Sequence, residues 1–319
     1  MSKKVFIDGK SGTTGLRIYQ RLEQREDIEV ITLGEEQRRD VNARKQALNQ
    51  ADVAFLCLPD EAAVQSVSLV ENPDTVIIDT STAHRTNPGW AYAFFQLSAE
   101  HYSRIKTAKR IAVPGCHASG FIALVYPLLQ QGLFGRNSLL SCTSITGYSG
   151  GGKPMIADYE ANGHSPSHSS PKLYGLTQQH KHLKEMQTTT GLSQPPVFCP
   201  VVAPFYSGML VTVGLFTSQL KPGTTKKDVA EVYAALYQGP VVRYVHAMDE
   251  AGFISSNGLC GLDCMEITVL GNEERLVLAA RYDNLGKGAS GAAIEAMNIV
   301  LETEETKGLI IDRNKEAAL

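Results

Sequence analysis

Three short stretches of this sequence hold residue types and spacings suited to chemistry. Cys116 follows Pro114 and Gly115 at the end of an apolar run and opens a stretch apolar enough to be a buried helix. A thiol at a helix N-terminus lies in the positive end of the dipole, which favours the thiolate, so Cys116 is the expected nucleophile. In Gln179-His180-Lys181-His182-Leu183-Lys184-Glu185, His182 stands three residues before Glu185. A histidine moves protons near neutrality, and Glu185 one helical turn on can orient it or a substrate, so the pair is a candidate acid/base site. An exposed helix pair would show the same spacing. With His164 and His168 the two histidines also suggest a metal cluster, but an HxH ligand pair suits a strand and the flanking residues read as helix, so no metal is expected.

The third stretch is Gly9-Lys10-Ser11-Gly12-Thr13-Thr14-Gly15, between a strand-like run and a helix-like one. Glycines there let the backbone turn tightly and approach a pyrophosphate, whose charge sits on the free N–H groups of the helix. Gly9, Ser11, Gly12, Thr13, Thr14 and Gly15 are therefore expected to bind a dinucleotide. Walker A is excluded because Lys4 stands where its first glycine belongs. The second strand runs into Thr32-Leu33-Gly34 without the acid that would take a ribose hydroxyl, and Arg38 and Arg39 follow. That favours a 2′-phosphate and hence NADP(H), although Glu35, Glu36, Arg38 and Arg39 also fit a solvated charged helix. Gly147 to Lys153 matches GxxxxGK, but Pro154 replaces the magnesium-binding hydroxyl. Ser149 and Gly150 are accordingly placed in a glycine loop that touches phosphate or cofactor, not in an NTPase.

The elements that must position these residues follow from hydropathy. Runs at 4–8, 28–33, 52–58 and 75–79 read as strands, separated by helical spacing over Thr14 to Leu22 and Glu61 to Val70, a βαβ pattern. A strand from Arg110 to Val113 leads to an apolar helix over Ala118 to Leu129, bent if it continues through Pro127. From 137 onward, runs at 139–146, 197–204, 208–217, 263–270 and 275–282 suggest a mixed sheet. Residues 150–172, rich in Gly, Ser, Pro and His, read as a long functional loop, while Thr225 to Tyr237 and Ala289 to Leu301 read as helices.

At 319 residues and 43% hydrophobic, the chain can bury one large or two ordinary cores. Thirty Lys and Arg against thirty-three Asp and Glu give a net charge of -3, so neither a nucleic acid nor a membrane surface is an expected partner. The N-terminus lacks an apolar leader, so the chain is expected to be soluble and cytoplasmic. Cys57, Cys142, Cys199, Cys260 and Cys264 show no CxxC pairing and are expected to be core.

Taken in order, Gly12 to Gly15, Val113-Pro114-Gly115-Cys116, Gly147-Tyr148-Ser149-Gly150, His180-Lys181-His182 with Glu185, and Tyr282-Asp283-Asn284-Leu285-Gly286-Lys287-Gly288-Ala289-Ser290-Gly291 resemble the N-acetyl-gamma-glutamyl-phosphate reductase family, shorter type. That family lies within the aspartate-semialdehyde and glyceraldehyde-3-phosphate dehydrogenase superfamily. Leu56-Cys57-Leu58-Pro59, Asp79-Thr80-Ser81 with Arg85, and Met297-Asn298 fit the same resemblance.

The resemblance implies an α/β fold: a Rossmann-type dinucleotide domain at 1–115 with 288–319, and a mixed-sheet catalytic and oligomerisation domain at 116–287. It implies NADPH-dependent reduction of N-acetyl-L-glutamyl 5-phosphate, with inorganic phosphate released, in arginine biosynthesis, by a homodimer or homotetramer. Cys116 is then the nucleophile, His182 the acid/base, Asn284 the residue on the nicotinamide carboxamide, and Leu58 and Pro59 further cofactor contacts. Arg85, Lys153 and Lys287, which sit beside motifs, are candidates for the anionic substrate, with Glu185. His117-Ala118-Ser119 departs from the Tyr and Thr that commonly follow the family's cysteine. Alternatives on the same scaffold are an aspartate- or aminoadipate-type semialdehyde dehydrogenase and a catalytically silent NADP-binding regulator; a metal-dependent hydrolase is a further one.

Overall fold

The computed structural model describes residues 2–313. The chain divides into two compact units. Among the described residues, the first comprises 2–95, Ala99–Pro114 and Ala289–Leu309; the second comprises Gln96–Ser98, Gly115–Gly288 and 310–313.

In the first unit the order is β1 (Lys3–Asp8), α1 (Thr13–Leu22), β2 (Ile28–Ile31), α2 (Val41–Gln50), β3 (Val53–Leu56), α3 (Asp60–Ser68), β4 (Val76–Asp79), β5 (Ala91–Tyr92), α4 (Ala99–Thr107) and β6 (Arg110–Ala112). The strands form one sheet ordered β2-β1-β3-β4-β6-β5, with every pairing parallel. Val53 to Leu56 and Val76 to Asp79 are buried throughout, because a parallel sheet carries helices on both faces and its strands have no solvent side. Phe6, Leu48, Leu56, Ala63, Ile77 and Trp90 form a core between sheet and helices. The chain leaves β1 in one direction for β2 and later crosses to β3 on its other side. Ligands of such sheets bind at that switch point, beyond the carboxyl ends of the strands.

The second unit contains α5 (Cys116–Gln130), β7 (Ser141–Gly147), α6 (Gly152–Glu160), β8 (Lys172–Leu173), α7 (His182–Thr190), β9 (Val197–Ala203), β10 (Met209–Phe216), α8 (Lys226–Leu236), β11 (Val242–Tyr244), β12 (Met265–Gly271) and β13 (Arg275–Tyr282). Its sheet runs β11-β12-β13-β10-β7-β9-β8, mostly antiparallel, with parallel pairs β11–β12 and β7–β9. Val211, Val213 and Leu278 are buried on the face that carries α5, whereas Val197, Phe216 and Val277 of the other face are exposed. A π-helical turn at Gly286–Ser290 then leads back to the first unit as α9 (Gly291–Val300).

Helix α5 continues through Pro127 to Gln130. Pro127 has no N–H for the Ala123 carbonyl, and that oxygen instead accepts a hydrogen bond of 2.8 Å from the Tyr237 hydroxyl, just past α8. Tyr233 of α8 donates to the adjacent Leu124 carbonyl. For α8, Thr225 is the N-cap: its side chain accepts from the Asp228 N–H while Asp228 accepts from the Thr225 N–H.

Three readings are corrected. Residues 150–172 are not one long loop, since Gly152–Glu160 is helix α6. Pro154 is its third residue, within the first turn, where the missing N–H has no helical partner to lose. The tail does not return to the first unit in full: Ile310 packs with Leu259, Leu262 and Cys264, and its N–H donates to buried Asp263. Residues 314–319 of the expected 288–319 segment lie outside the described residues. Finally, Cys260 is exposed rather than core.

Candidate active site

In the first unit the glycine turn joins β1 to α1. Gly9 has a φ of +88°, and a Cβ there would lie 2.3 Å from the Cys57 carbonyl oxygen, so only glycine lets the turn press against the end of β3. Gly12 caps α1 with extended backbone, and its N–H donates to the Gly9 carbonyl at 2.9 Å. A Cβ on Gly15 would lie 2.4 Å from the same oxygen. Thr13 and Thr14 begin α1, Leu58 follows β3, and Pro59 caps α3.

Beside the turn is a cavity of about 230 Å³ lined by Gly9, Ser11, Thr32, Leu33, Arg38 and Leu58, among others. Sequence reasoning missed two of its residues, Asp8 and Arg44. The Arg44 guanidinium meets the buried Asp8 carboxylate at 2.8 Å, and Ser66 donates to the same oxygen at 3.0 Å. Asp8 ends β1 immediately before the turn, which was a readable signal; Arg44, on a polar helix, gave none. Arg38 lies in a short 3-10 turn, its Nε donating to the Leu33 carbonyl at 3.2 Å. An open turn, a helix N-terminus and an arginine at the cavity fit a dinucleotide with its pyrophosphate at the turn. Arg85, also in this unit, spends its guanidinium on the Val113 and Thr80 carbonyls, each at 2.9 Å.

In the second unit Cys116 is the first residue of α5, half-buried, with extended Gly115 as its N-cap. Helix α7 brings His182 and Glu185 in together; they are 4% and 2% exposed. The Gly115 N–H donates to the Glu185 side chain at 2.8 Å, which ties α7 to the residue that precedes the thiol. Gly288 in the π-helical turn lies so close that its Cβ would be 3.0 Å from that of Cys116. The turn is held by Asp283, fully buried, which accepts from the N–H groups of Leu285, Gly286 and Gly261 and from the Ser207 hydroxyl. Asn284 accepts from the Gly208 N–H at 2.9 Å and donates to the Ser149 hydroxyl at 3.0 Å, so Ser149, Gly150 and Asn284 lie together. Lys287 is buried and donates to Gln96 at 3.1 Å, whereas Lys153 is exposed on α6.

His117 is buried beside these groups. One ring nitrogen meets the Ser144 hydroxyl and the other the Tyr174 hydroxyl, both at 2.6 Å, and its ring centre is 5.5 Å from that of His182. Burial, reinforced by nearby His180 and Lys181, pushes its pKa down to about 3, so it is a neutral structural imidazole at neutral pH. Burial also pushes the thiol of Cys57 up to about 12 and that of Cys264 up to about 11, which keeps them protonated and inert. His168 packs against Tyr159 with the rings tilted by 31°, and among the described residues no group of three or more His, Cys, Asp or Glu is placed to hold a metal ion.

Known proteins match both units. The family model for the semialdehyde dehydrogenase NAD-binding domain matches residues 4–105, and that for the semialdehyde dehydrogenase dimerisation domain matches residues 116–284. N-acetyl-gamma-glutamyl-phosphate reductase 2 of Nostoc sp. is 39% identical, covering 96% of this chain and 99% of its own. The N-acetyl-gamma-glutamyl-phosphate reductase of Mesorhizobium japonicum is 43% identical, covering 94% and 99%. Among solved structures, aspartate semialdehyde dehydrogenase II from Vibrio cholerae shares the fold, with a TM-score of 0.72 at 15% identity over 95% of this chain and 99% of that one. With full-length relatives near 40% identity and both domain models matched, the chain belongs to the N-acetyl-gamma-glutamyl-phosphate reductase family of semialdehyde dehydrogenases.

Proposed function

We propose that the protein reduces N-acetyl-L-glutamyl 5-phosphate to N-acetyl-L-glutamate 5-semialdehyde, with NADPH as reductant and inorganic phosphate released, as a step of arginine biosynthesis. The observation that carries the chemistry is the joining of the α5 N-terminus to α7, through the Gly115–Glu185 hydrogen bond and the 5.5 Å approach of the His117 and His182 rings.

The Cys116 thiolate attacks the acyl phosphate, and phosphate leaves to give a thioester. When bound, NADPH would supply the hydride that reduces the thioester carbonyl. His182 takes or returns the proton as the tetrahedral adduct forms and collapses to aldehyde and thiolate. The Cys116 N–H at the start of α5 serves as an oxyanion donor. Glu185 holds the Gly115 backbone and so fixes the approach of the chain to the thiol. On the cofactor side, Gly9, Ser11, Gly12, Thr13, Thr14 and Gly15 take the pyrophosphate, and Arg38 takes the 2′-phosphate, which sets NADP(H) above NAD(H). Asn284, whose amide is oriented by Gly208 and Ser149, would hold the nicotinamide carboxamide. Lys287 and Lys153 serve the substrate anions, and Arg85 braces the ends of β4 and β6 through the Thr80 and Val113 carbonyls.

The dimerisation-domain match and the apolar face of Val197, Phe216 and Val277 support a homodimer, with the tetramer as its extension. A reactive thiol requires a reducing compartment, which supports a cytoplasmic location. The test is phosphate-dependent reduction of NADP by purified protein given N-acetyl-L-glutamate 5-semialdehyde, with aspartate semialdehyde and NAD in parallel. Activity confined to the acetylated substrate and NADP is expected; turnover of aspartate semialdehyde instead would reassign the substrate.

A further inference from the structure

The Tyr282 hydroxyl is inserted into the first turn of α5. In an unbroken helix the Gly120 N–H would close on the Cys116 carbonyl four residues earlier. Here the Gly120 N–H donates to the Tyr282 oxygen at 3.0 Å, and the Tyr282 hydroxyl donates to the Cys116 carbonyl at 2.5 Å. Space for this is made at Gly120: a Cβ there would lie 2.7 Å from the Tyr282 oxygen and 2.6 Å from the Val211 side chain. Tyr282 is fully buried at the end of β13, so its hydroxyl has no water to turn to and is committed to this bridge. A side chain that enters the i to i−4 ladder widens a turn locally, and the turn that Tyr282 bridges is the one that carries the thiol.

We infer that Tyr282, with the slot at Gly120, is a positioning residue that sets the placement of Cys116 by spreading the first turn of α5. The inference rests on Cys116 being the nucleophile. Burial holds the Tyr282 hydroxyl protonated, its pKa raised well above the ordinary tyrosine value, so it stays a donor throughout the working range. The same residue precedes Asp283, whose carboxylate holds the Gly286–Ser290 turn against Cys116 through Gly288. One strand end therefore fixes the thiol from two sides, through the helix backbone and through the covering turn.

The test is Y282F, with V211A as a control that loosens the same contact and leaves the hydroxyl in place. Two readouts are taken: kcat and KM for semialdehyde oxidation, and the pH dependence of Cys116 alkylation by iodoacetamide, which needs neither substrate nor cofactor. The other cysteines are accounted for with C116S in parallel. Expected for Y282F is a fall in kcat of about tenfold at nearly unchanged KM, with the alkylation midpoint displaced by about half a pH unit or more. V211A is expected to lower Tm while keeping both readouts. An unchanged alkylation profile and kcat in Y282F would overturn the inference, as would equal changes in V211A. If C116S itself retained turnover, the proposed reaction would fail instead, and the alkylation profile would still report whether Tyr282 places the thiol.

Discussion

The glycine turn of the first unit and the thiol centre of the second are built in opposite ways. The turn is made of backbone supplied by one short segment, Gly9 to Gly15, pressed against the end of the neighbouring strand. The thiol centre draws on α5, α7, the β13 end and the turn at Gly286–Ser290, and it is set by side chains that reach across more than sixty residues of sequence. A backbone site can be read locally because glycine spacing is itself the structure. A side-chain site shows its members in the sequence but not how they are joined.

If the two regions are separately built, damage to one should leave the readout of the other intact. The largest effect is expected from Cys116→Ser, which should lower reduction by about a thousandfold or more while NADPH titration is unchanged. Joint loss of cofactor binding would break the comparison. Next, Gly9→Ala forces a Cβ to within 2.3 Å of a carbonyl oxygen at a positive φ. With strain of about 1–3 kcal/mol at the turn, NADPH affinity should fall roughly ten- to a hundredfold, yet Cys116 alkylation should keep its rate. A smaller change is expected for Arg38→Ala: KM for NADPH should rise about tenfold and KM for NADH should barely move, measured side by side. Equal effects on both cofactors would take Arg38 off the 2′-phosphate.

The mildest effect concerns acid. His117 has a folded pKa of about 3 against an ordinary 6.5, so between those values the unfolded chain binds a proton that the folded chain refuses. Stability contributed by the neutral ring is present above pH 6.5 and is lost as pH falls toward 3. His117→Phe should therefore flatten the decline of Tm between pH 6.5 and 4, and parallel curves for the two proteins would reject the assignment.

The parallel sheet was legible because its strands are short continuous apolar runs; α2 and α4 were not, because they bury little beyond Ala47 and Leu48, and Ile105. Glycine and proline made 150–172 look irregular, yet a proline in the first turn of α6 costs nothing. Cys116, His182 and Glu185 could be picked out by type and spacing. That Glu185 binds the Gly115 N–H, and that Tyr282 enters α5 at a point 162 residues away in sequence, are products of tertiary packing and left no local trace.

Pro127 has a consequence for how the protein wears out. Because the carbonyl it strands is closed by Tyr237, and the next one is met by Tyr233, the far end of the helix that begins at Cys116 is latched to the end of α8. Heat or denaturant cannot peel that helix from its C-terminus without first undoing α8. Loss of activity on warming should then track amide exchange in α8, a helix remote in sequence from Cys116, His182 and Glu185.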